Sequence, residues 1–348
     1  MDAVSKGKGW DVILVGDGQG RTEAAMPFHR VHKYGLRAIL MPVHTQYHYA
    51  CVAPGAPEDI YARLAEALDH RCRTQRIGWV RLQGFYPEPL LQAFRKHGFS
   101  VSERTTYRIA VIPERHKLPE LFSQNKRRQL RKAQGMSLTD LQAEDFYAFH
   151  KECLRRQGKH IDYPEEWARA VLPEAVARGE ARIIGAQDAE GRTQAAMFLA
   201  WDEQWAYYLL PTYHPAYKDS GAMAWLTNEA LCIAQEKGLG FDFEGSMTPS
   251  IASSYRQFGG NPETYYTIEK YYSPLIRAII KLRQQLWEYC SSHLGIRPRK
   301  TPCWVSSCRS TRRLSVRRVA RYASSSRKAG LTHGANGGHS AAKDGCRT

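Results

Sequence analysis

Short apolar or alternating stretches at 11–16, 21–30, 36–41, 77–82 and 100–112 predict strands. Between them, apolar positions at helical spacing predict helices over 57–74, opening at Pro57-Glu58-Asp59, and over 87–97, ending near Gly98. A linking helix is expected from Leu118 to Gln134, with Lys126-Arg127-Arg128 and Arg131-Lys132 on a basic face. The second half predicts helices at 143–157 and 163–178, then strands at 181–187, 192–201 and 204–211. A helix at 221–237 leads to a short strand, Leu239 to Phe243. A helical turn, Tyr255-Arg256-Gln257-Phe258-Gly259, precedes a last strand, Tyr265 to Lys270. Pro274 opens a final amphipathic helix, 274–292, with Leu275, Ile276, Ile279, Leu282, Leu286 and Cys290 on or near one face. That face is expected to pack back on the body; a membrane-surface role for Arg277, Lys281 and Arg283 is the minority reading.

The pattern repeats. Residues 12–26 and 183–197 are identical at eight of fifteen positions, including Asp17/Asp188 and Gly20-Arg21-Thr22/Gly191-Arg192-Thr193. The interval between the copies is too long for a solenoid repeat and suits a duplicated domain. Leu40-Met41-Pro42 aligns next with Leu209-Leu210-Pro211, each closing a third strand. The competing reading is that any two hairpins with Asp and Gly in the turn look alike.

Composition adds bounds. The 348 residues, 43% hydrophobic, can bury two cores. No apolar run approaches the roughly 20 residues that cross a bilayer, and no secretory signal opens the chain. Eight scattered cysteines form no Cys-x-x-Cys pair, so reduced thiols in a cytoplasmic protein without metal are expected. Of the net charge of +16, +12 falls on residues 296–348, which hold 13 Lys/Arg and one Asp. That stretch predicts a disordered basic tail, either an arm for RNA or phospholipid headgroups or an extension without function. The remaining body is only mildly basic.

Val-Gly-Asp-Gly-Gln-Gly-Arg after the first strand imitates a dinucleotide fingerprint. Arg21 stands where the third Gly belongs, and a strand follows instead of a phosphate-holding helix, so that reading is set aside.

The segment from Trp205 to Lys270 carries more. It reads Tyr-Tyr-Leu-Leu-Pro-Thr-Tyr, then Lys-Asp-Ser-Gly-Ala-Met-Ala-Trp-Leu opening a helix, then Phe-Asp-Phe-Glu-Gly-Ser-Met and Tyr-Arg-Gln-Phe-Gly-Gly. This resembles the C-terminal signature of tandem GNAT-fold acyltransferases, among them the Fem-type peptidoglycan-bridge aminoacyltransferases and the acetyltransferase-like families grouped with them. The resemblance covers about residues 10–272. It implies an α/β (α+β) fold of duplicated GNAT-like domains with mixed central sheets. The expected parts are a first domain at 8–115, a linking helix at 116–142, a second, catalytic domain at 143–272, the amphipathic helix at 273–295 and the tail from 296. Met41-Pro-Val-His-Thr-Gln46-Tyr47 looks like the family's first-domain strand end, and Arg127-Arg128 like its interdomain helix, which implies acceptor or anion binding by Gln46, Tyr47, Arg127 and Arg128.

The resemblance implies acyl transfer to an amine, with acyl-CoA as the expected co-substrate and no covalent nucleophile required. The strand end Leu209-Leu210-Pro211 and Thr212 would pair with the donor; Lys218, Ser220, Gly221 and Ala222, at a helix N-terminus, would face its phosphates. Pro54-Gly55-Ala56-Pro57 offers the first domain no such loop. Glu244 and Asp242 share one face of the last short strand, and either suits proton acceptance; Tyr255 stands behind them, and the competing reading is a structural carboxylate paired with an Arg. Arg256 lies one step later than the cation of the Fem-type enzymes, where Tyr255 stands, which weighs against aminoacyl-tRNA as donor. Two rivals remain: an aminoacyl-tRNA-dependent ligase for a cell-wall precursor, and a non-catalytic binding protein on the same fold. A monomer acting on small molecules, without membrane insertion, is expected.

Overall fold

Asp17 and Asp188 explain why the repeated turns look alike. Asp17 Oδ1 accepts the backbone N–H of Gln19 (2.7 Å) and Arg21 (3.2 Å); Asp188 Oδ1 accepts those of Glu190 (3.2 Å) and Arg192 (2.9 Å). A side chain that satisfies two turn donors fixes the hairpin by itself. The computed structural model in which these turns are seen describes residues 9–293, except Asp162 and Met247. The basic tail from Ile296 lies outside the described residues, as do the side chains of Leu286 and Cys290.

The first half runs β1 (Trp10–Gly16), β2 (Thr22–Lys33), β3 (Leu36–Leu40), β4 (Cys51–Val52), α1 (Ile60–Thr74), β5 (Trp79–Gly84), α2 (Glu88–Lys96) and β6 (Ser100–Ile109). The second runs α3 (Gln124–Lys132), β7 (Ser137–Asp140), α4 (Ala143–Arg156), α5 (Glu165–Ala177), β8 (Ala181–Gln187), β9 (Thr193–Trp201), β10 (Trp205–Tyr213), α6 (Ala222–Glu236), β11 (Gly240–Asp242), α7 (Pro249–Gln257), β12 (Asn261–Tyr271) and α8 (Pro274–His293).

Strand registers carry the duplication further than residue identity. Ile13 pairs with Met26 and Ile184 with Met197, the same pairing at the interval that separates Asp17 from Asp188. Even the irregularity recurs, between Val15 and Gly16 and between Ala186 and Gln187. At the next strand the interval changes. Leu40 pairs with Arg81 and Tyr207 with Asp242, so Leu40 corresponds to Tyr207, not to Leu209. The expected third-strand alignment is therefore out of step, and β10 continues to Tyr213 where β3 stops at Leu40.

All twelve strands join one sheet in the order β1-β2-β3-β5-β12-β6-β11-β10-β9-β8-β7, with β4 on β2. Each half donates its last strand to the other. β12 lies between β5 and β6, and β6 lies between β12 and β11. The exchange is reciprocal, and the Arg104–Tyr265 pair of the antiparallel β6–β12 ladder marks its crossing point. Side chains follow their strands. Ile268 of β12 is fully buried in the core of β1, β2, β5 and α1, while Tyr107 and Ile109 of β6 are buried in the core of α6, β10 and β11. The first half has no counterpart of β7, which extends the sheet beside β8, or of α4 and α5, which pack on the second half around Phe146, Trp167, Leu172 and Phe198.

Several expectations shift in detail. The linking helix divides into a short turn at Leu118–Leu121 and α3, because buried Phe122 is extended and Ser123 caps the new start by accepting the Lys126 N–H (3.3 Å). The expected turn at 255–259 is the end of a full helix, α7. The final helix docks through Ile276 and Ile280 against Ala38 and Trp79, while Leu275, Ile279 and Leu282 face outward. Its apolar stripe therefore splits between two faces. Among the described residues no helix is long and apolar enough to cross a membrane.

Candidate functional site

β10 and β11 run parallel for three pairs, from Trp205–Gly240 to Tyr207–Asp242, and then part. Two local features open the gap. On β10 the register breaks between Leu209 and Thr212, with Leu210 at φ 49°. On β11 the strand ends in Glu244 at φ 60° and Gly245 at φ 59°. Gly245 must be glycine: a Cβ there would sit 2.4 Å from the Thr105 carbonyl oxygen.

Asp242 and Glu244, expected to share the base role, part company. Asp242 is completely buried; its Oδ2 accepts Arg108 Nε–H (2.7 Å), and its Oδ1 accepts the Thr106 hydroxyl (2.6 Å) and the Glu244 backbone N–H (2.7 Å). It is the structural carboxylate paired with an arginine that the competing reading described. Burial opposes the charge on Arg108, but Asp242 outweighs it and holds the guanidinium protonated. That guanidinium also lies over the rings of Phe85 (4.0 Å), Trp205 (4.3 Å) and Tyr47 (5.3 Å).

Glu244 is different. Its carboxyl has no hydrogen bond or ion pair among the described residues, and its backbone is strained. Burial first, and then the Asp242 charge, push its pKa well above the ordinary carboxylate range. Gln46 reaches it from the first half: the Gln46 side-chain amide donates to the Glu244 carbonyl oxygen (2.7 Å) and to the Tyr265 hydroxyl (2.9 Å). Tyr47 is buried beside Gln46, 5.2 Å from the Tyr265 ring. Tyr255 stacks on Phe243 at 4.8 Å, and its hydroxyl pKa is raised, by burial first. Arg256 is tied to the group through Tyr107, whose hydroxyl accepts its guanidinium at 2.9 Å.

The expected donor residues form a second neighbourhood. Leu209, Leu210 and Thr212 belong to the β10 break, but Thr212 is buried and its side chain contacts Cys153. Ser220 is occupied locally: its hydroxyl donates to the Tyr217 carbonyl (2.8 Å) and accepts the Ala222 N–H (3.2 Å). Gly221 has φ 85°, and its missing side chain makes room for the Gln129 carbonyl oxygen, 2.2 Å from where a Cβ would stand. Glycine at 221 thus answers to the packing of α3 on α6, not to an open phosphate cradle. The same packing brings the exposed Arg127 and Arg128 of α3 to the end of α6 that exposed Lys218 precedes. Buried Ala222 completes the turn.

Sequence reasoning missed Arg104, Thr106, Tyr107, Arg108 and Tyr265. All lie on β6 or β12, the exchanged strands, and Arg104 Nε is buried without a hydrogen-bond partner. It also missed a second echo. Gln83-Gly84 aligns with Glu244-Gly245, and Phe94-Arg95-x-x-Gly98 with Tyr255-Arg256-x-x-Gly259, both at a shorter interval than the hairpins. The first half carries an amide where the second carries its unpaired acid.

This is the architecture of the GNAT fold. Residues 122–250 match the family model described as an acetyltransferase (GNAT) domain. Among solved structures, the chain is similar to FemX at 12% identity and TM-score 0.57, over 76% of this chain and 89% of that one. It is also similar to the C-terminal domain of a putative lysylphosphatidylglycerol synthetase from Agrobacterium fabrum, at 11% identity and TM-score 0.52, over 81% and 90% of the two chains. L-PGS from Bacillus licheniformis gives 14% identity and TM-score 0.51 over the same shares. No curated protein matches the sequence. Among the described residues no cluster of His, Cys, Asp or Glu suits a metal ion.

Proposed function

We propose that the chain is an N-acyltransferase that moves an acyl group from a thioester donor, acyl-CoA, to an amine, with Glu244 of the second half as base. The carrying observation is the half-buried carboxyl of Glu244, unpaired among the described residues, at the mouth of the β10–β11 gap. GNAT-fold enzymes typically use acyl-CoA, and the open backbone edge after Tyr207 suits a donor lying in extended form along β10.

The step needs little from the protein. The amine lone pair attacks the thioester carbonyl carbon; the C–N bond forms and the C–S bond breaks. The proton lost by nitrogen passes to Glu244, and the donor leaves as a thiolate that takes up a proton. A carboxyl with a raised pKa is a stronger base than an exposed one once ionised. Arg256, held by Tyr107, and the α3 cations Arg127 and Arg128 supply positive charge for an anionic donor or acceptor. Gln46 fixes the Glu244 backbone and ties the first half, the acceptor side, to the base.

Glu244→Gln keeps size and removes the base. It should lower kcat by roughly 10²–10⁴ with donor binding unchanged. Arg256→Ala should instead raise KM. Full turnover by Glu244→Gln would end this assignment.

A second reading has one observation in its favour, the exposed cations of α3, which also suit a polyanionic carrier. In it the donor is an aminoacyl-tRNA and the acceptor a cell-wall precursor or, as the name of the synthetase from Agrobacterium fabrum suggests, phosphatidylglycerol. Thermal stabilisation by acetyl-CoA, longer acyl-CoAs or charged tRNA separates the donors; stabilisation by none favours a non-catalytic binding protein.

A further inference from the structure

A pocket of about 180 Å³ opens beside the β10 break, outside the base and the α6 terminus. Val43 and His44 of the first half form one wall; Trp167 and Ala175 of α5, Phe198 of β9 and Leu210 of β10 form the others.

Three observations make this a built site. The first is its lining: apart from His44, Thr45 and Glu180 it is apolar. A dry cavity of about 150 Å³ takes one benzene molecule, so the size suits a ring or a branched chain. The second is strain. Five non-glycine residues have positive φ among the described residues; His44 (53°) and Leu210 (49°) line this pocket, and a third is Glu244. Strain of this kind collects where a site must be held in shape. The third is continuity with the base: His44 and Thr45 lead directly into Gln46, whose amide holds the Glu244 carbonyl.

We propose that this pocket receives a ring or branched apolar group of the substrate, about the size of benzene. The inference rests on the acyl-transfer reading for its role and makes the protein selective for substrates bearing such a group. The group comes either from the acyl part of the donor or from the side chain of the amine.

The first test is binding. Methylcyclohexane is titrated into the full chain and followed by the fluorescence of Trp167 and Trp201, both in the wall. It should saturate. Ala175→Phe, which fills the pocket, should abolish the binding; Val171→Phe is the second filling variant should the first not fold, and Glu244→Gln should leave the binding unchanged. The second test is selectivity. Acetyl and benzoyl thioesters are compared with one amine, and glycinamide and phenylalaninamide with one donor. The filled variant should lose turnover only for the bulky member of one series, which names the source. Non-saturating binding, or an Ala175→Phe variant that binds and discriminates as the parent does, overturns the pocket. Full turnover by Glu244→Gln instead overturns the acyl-transfer reading and leaves the binding result standing.

Discussion

Arg108 and Asp242 meet within 2.7 Å in the interior of the sheet, and neither can be lost singly. Asp242→Asn or Arg108→Met leaves a buried charge without its partner, which should cost about 3–5 kcal/mol in chemical denaturation. Glu244 obeys the opposite logic. Its folded pKa lies above its unfolded value, so in the interval between them the folded chain keeps a proton that the unfolded chain has released. Stability therefore falls as pH rises through that interval, and Glu244→Gln should flatten the fall. Turnover should rise over the same range as the base ionises. A melting temperature that does not respond to pH differently in Glu244→Gln would show that the carboxyl is not desolvated. Lys126 is a smaller case: burial lowers it to about 8 while its amino group donates to the Ser254 hydroxyl at 2.9 Å and lies over Phe258. Its folded pKa lies below the ordinary 10.5, so stability should rise between about 8 and 10.5, and Lys126→Met should abolish that rise.

Among the elements, α8 gives the cleanest comparison. Ile280 is fully buried against Ala38 and Trp79, whereas Leu282 is 57% exposed. Ile280→Ala should cost about 2–5 kcal/mol and Leu282→Ser less than about 0.5 kcal/mol in the same denaturation assay. Periodicity alone placed docking Ile276 and outward Leu282 on one apolar stripe and passed over Ile280, because a helix with apolar residues on two sides does not say which side meets the body. Other elements were plain in the sequence. Asp17 and Asp188 mark their hairpins by local turn chemistry, and α6 announces itself by a long apolar stretch after Gly221. β7 has only four residues, Ser-Leu-Thr-Asp, too few for any pattern to stand out; tertiary pairing with β8 makes it a strand.

At the scale of the molecule, the duplication was legible as far as the identical residues ran. Beyond the second strand of each repeat the two halves differ in loop length, so the interval of the echo shortens and Gln83 no longer aligns with Glu244 by inspection. The strand exchange was not legible at all. A strand keeps its apolar face whichever neighbour it pairs with, and nothing in Ser100–Ile109 records that its side chains enter the other core. The exchange has a direct test. Severing the chain near Glu114 should give two fragments that each lack an inner strand of their sheet. Expressed alone, each should aggregate or remain unfolded by circular dichroism; expressed together, they should purify as one complex. A first fragment that folds alone with native-like stability would show that β12 is dispensable to it.

The ladder between β6 and β12 has nine residue pairs, and on either side it is bonded without a break to β5 and β11. A molecule stitched in this way has no clamshell. Its halves cannot rock apart to admit a substrate, because a hinge at the midline would tear the backbone hydrogen bonds of that ladder. Entry and exit then fall to the segments that border the site outside the ladders: the Met41–Ala50 loop that carries Gln46, and the turn from Glu244 into α7. Both touch the base directly or through one residue. On the acyl-transfer reading, turnover would then depend on movement of these two short segments, a motion expected on a faster scale than the closure of two lobes.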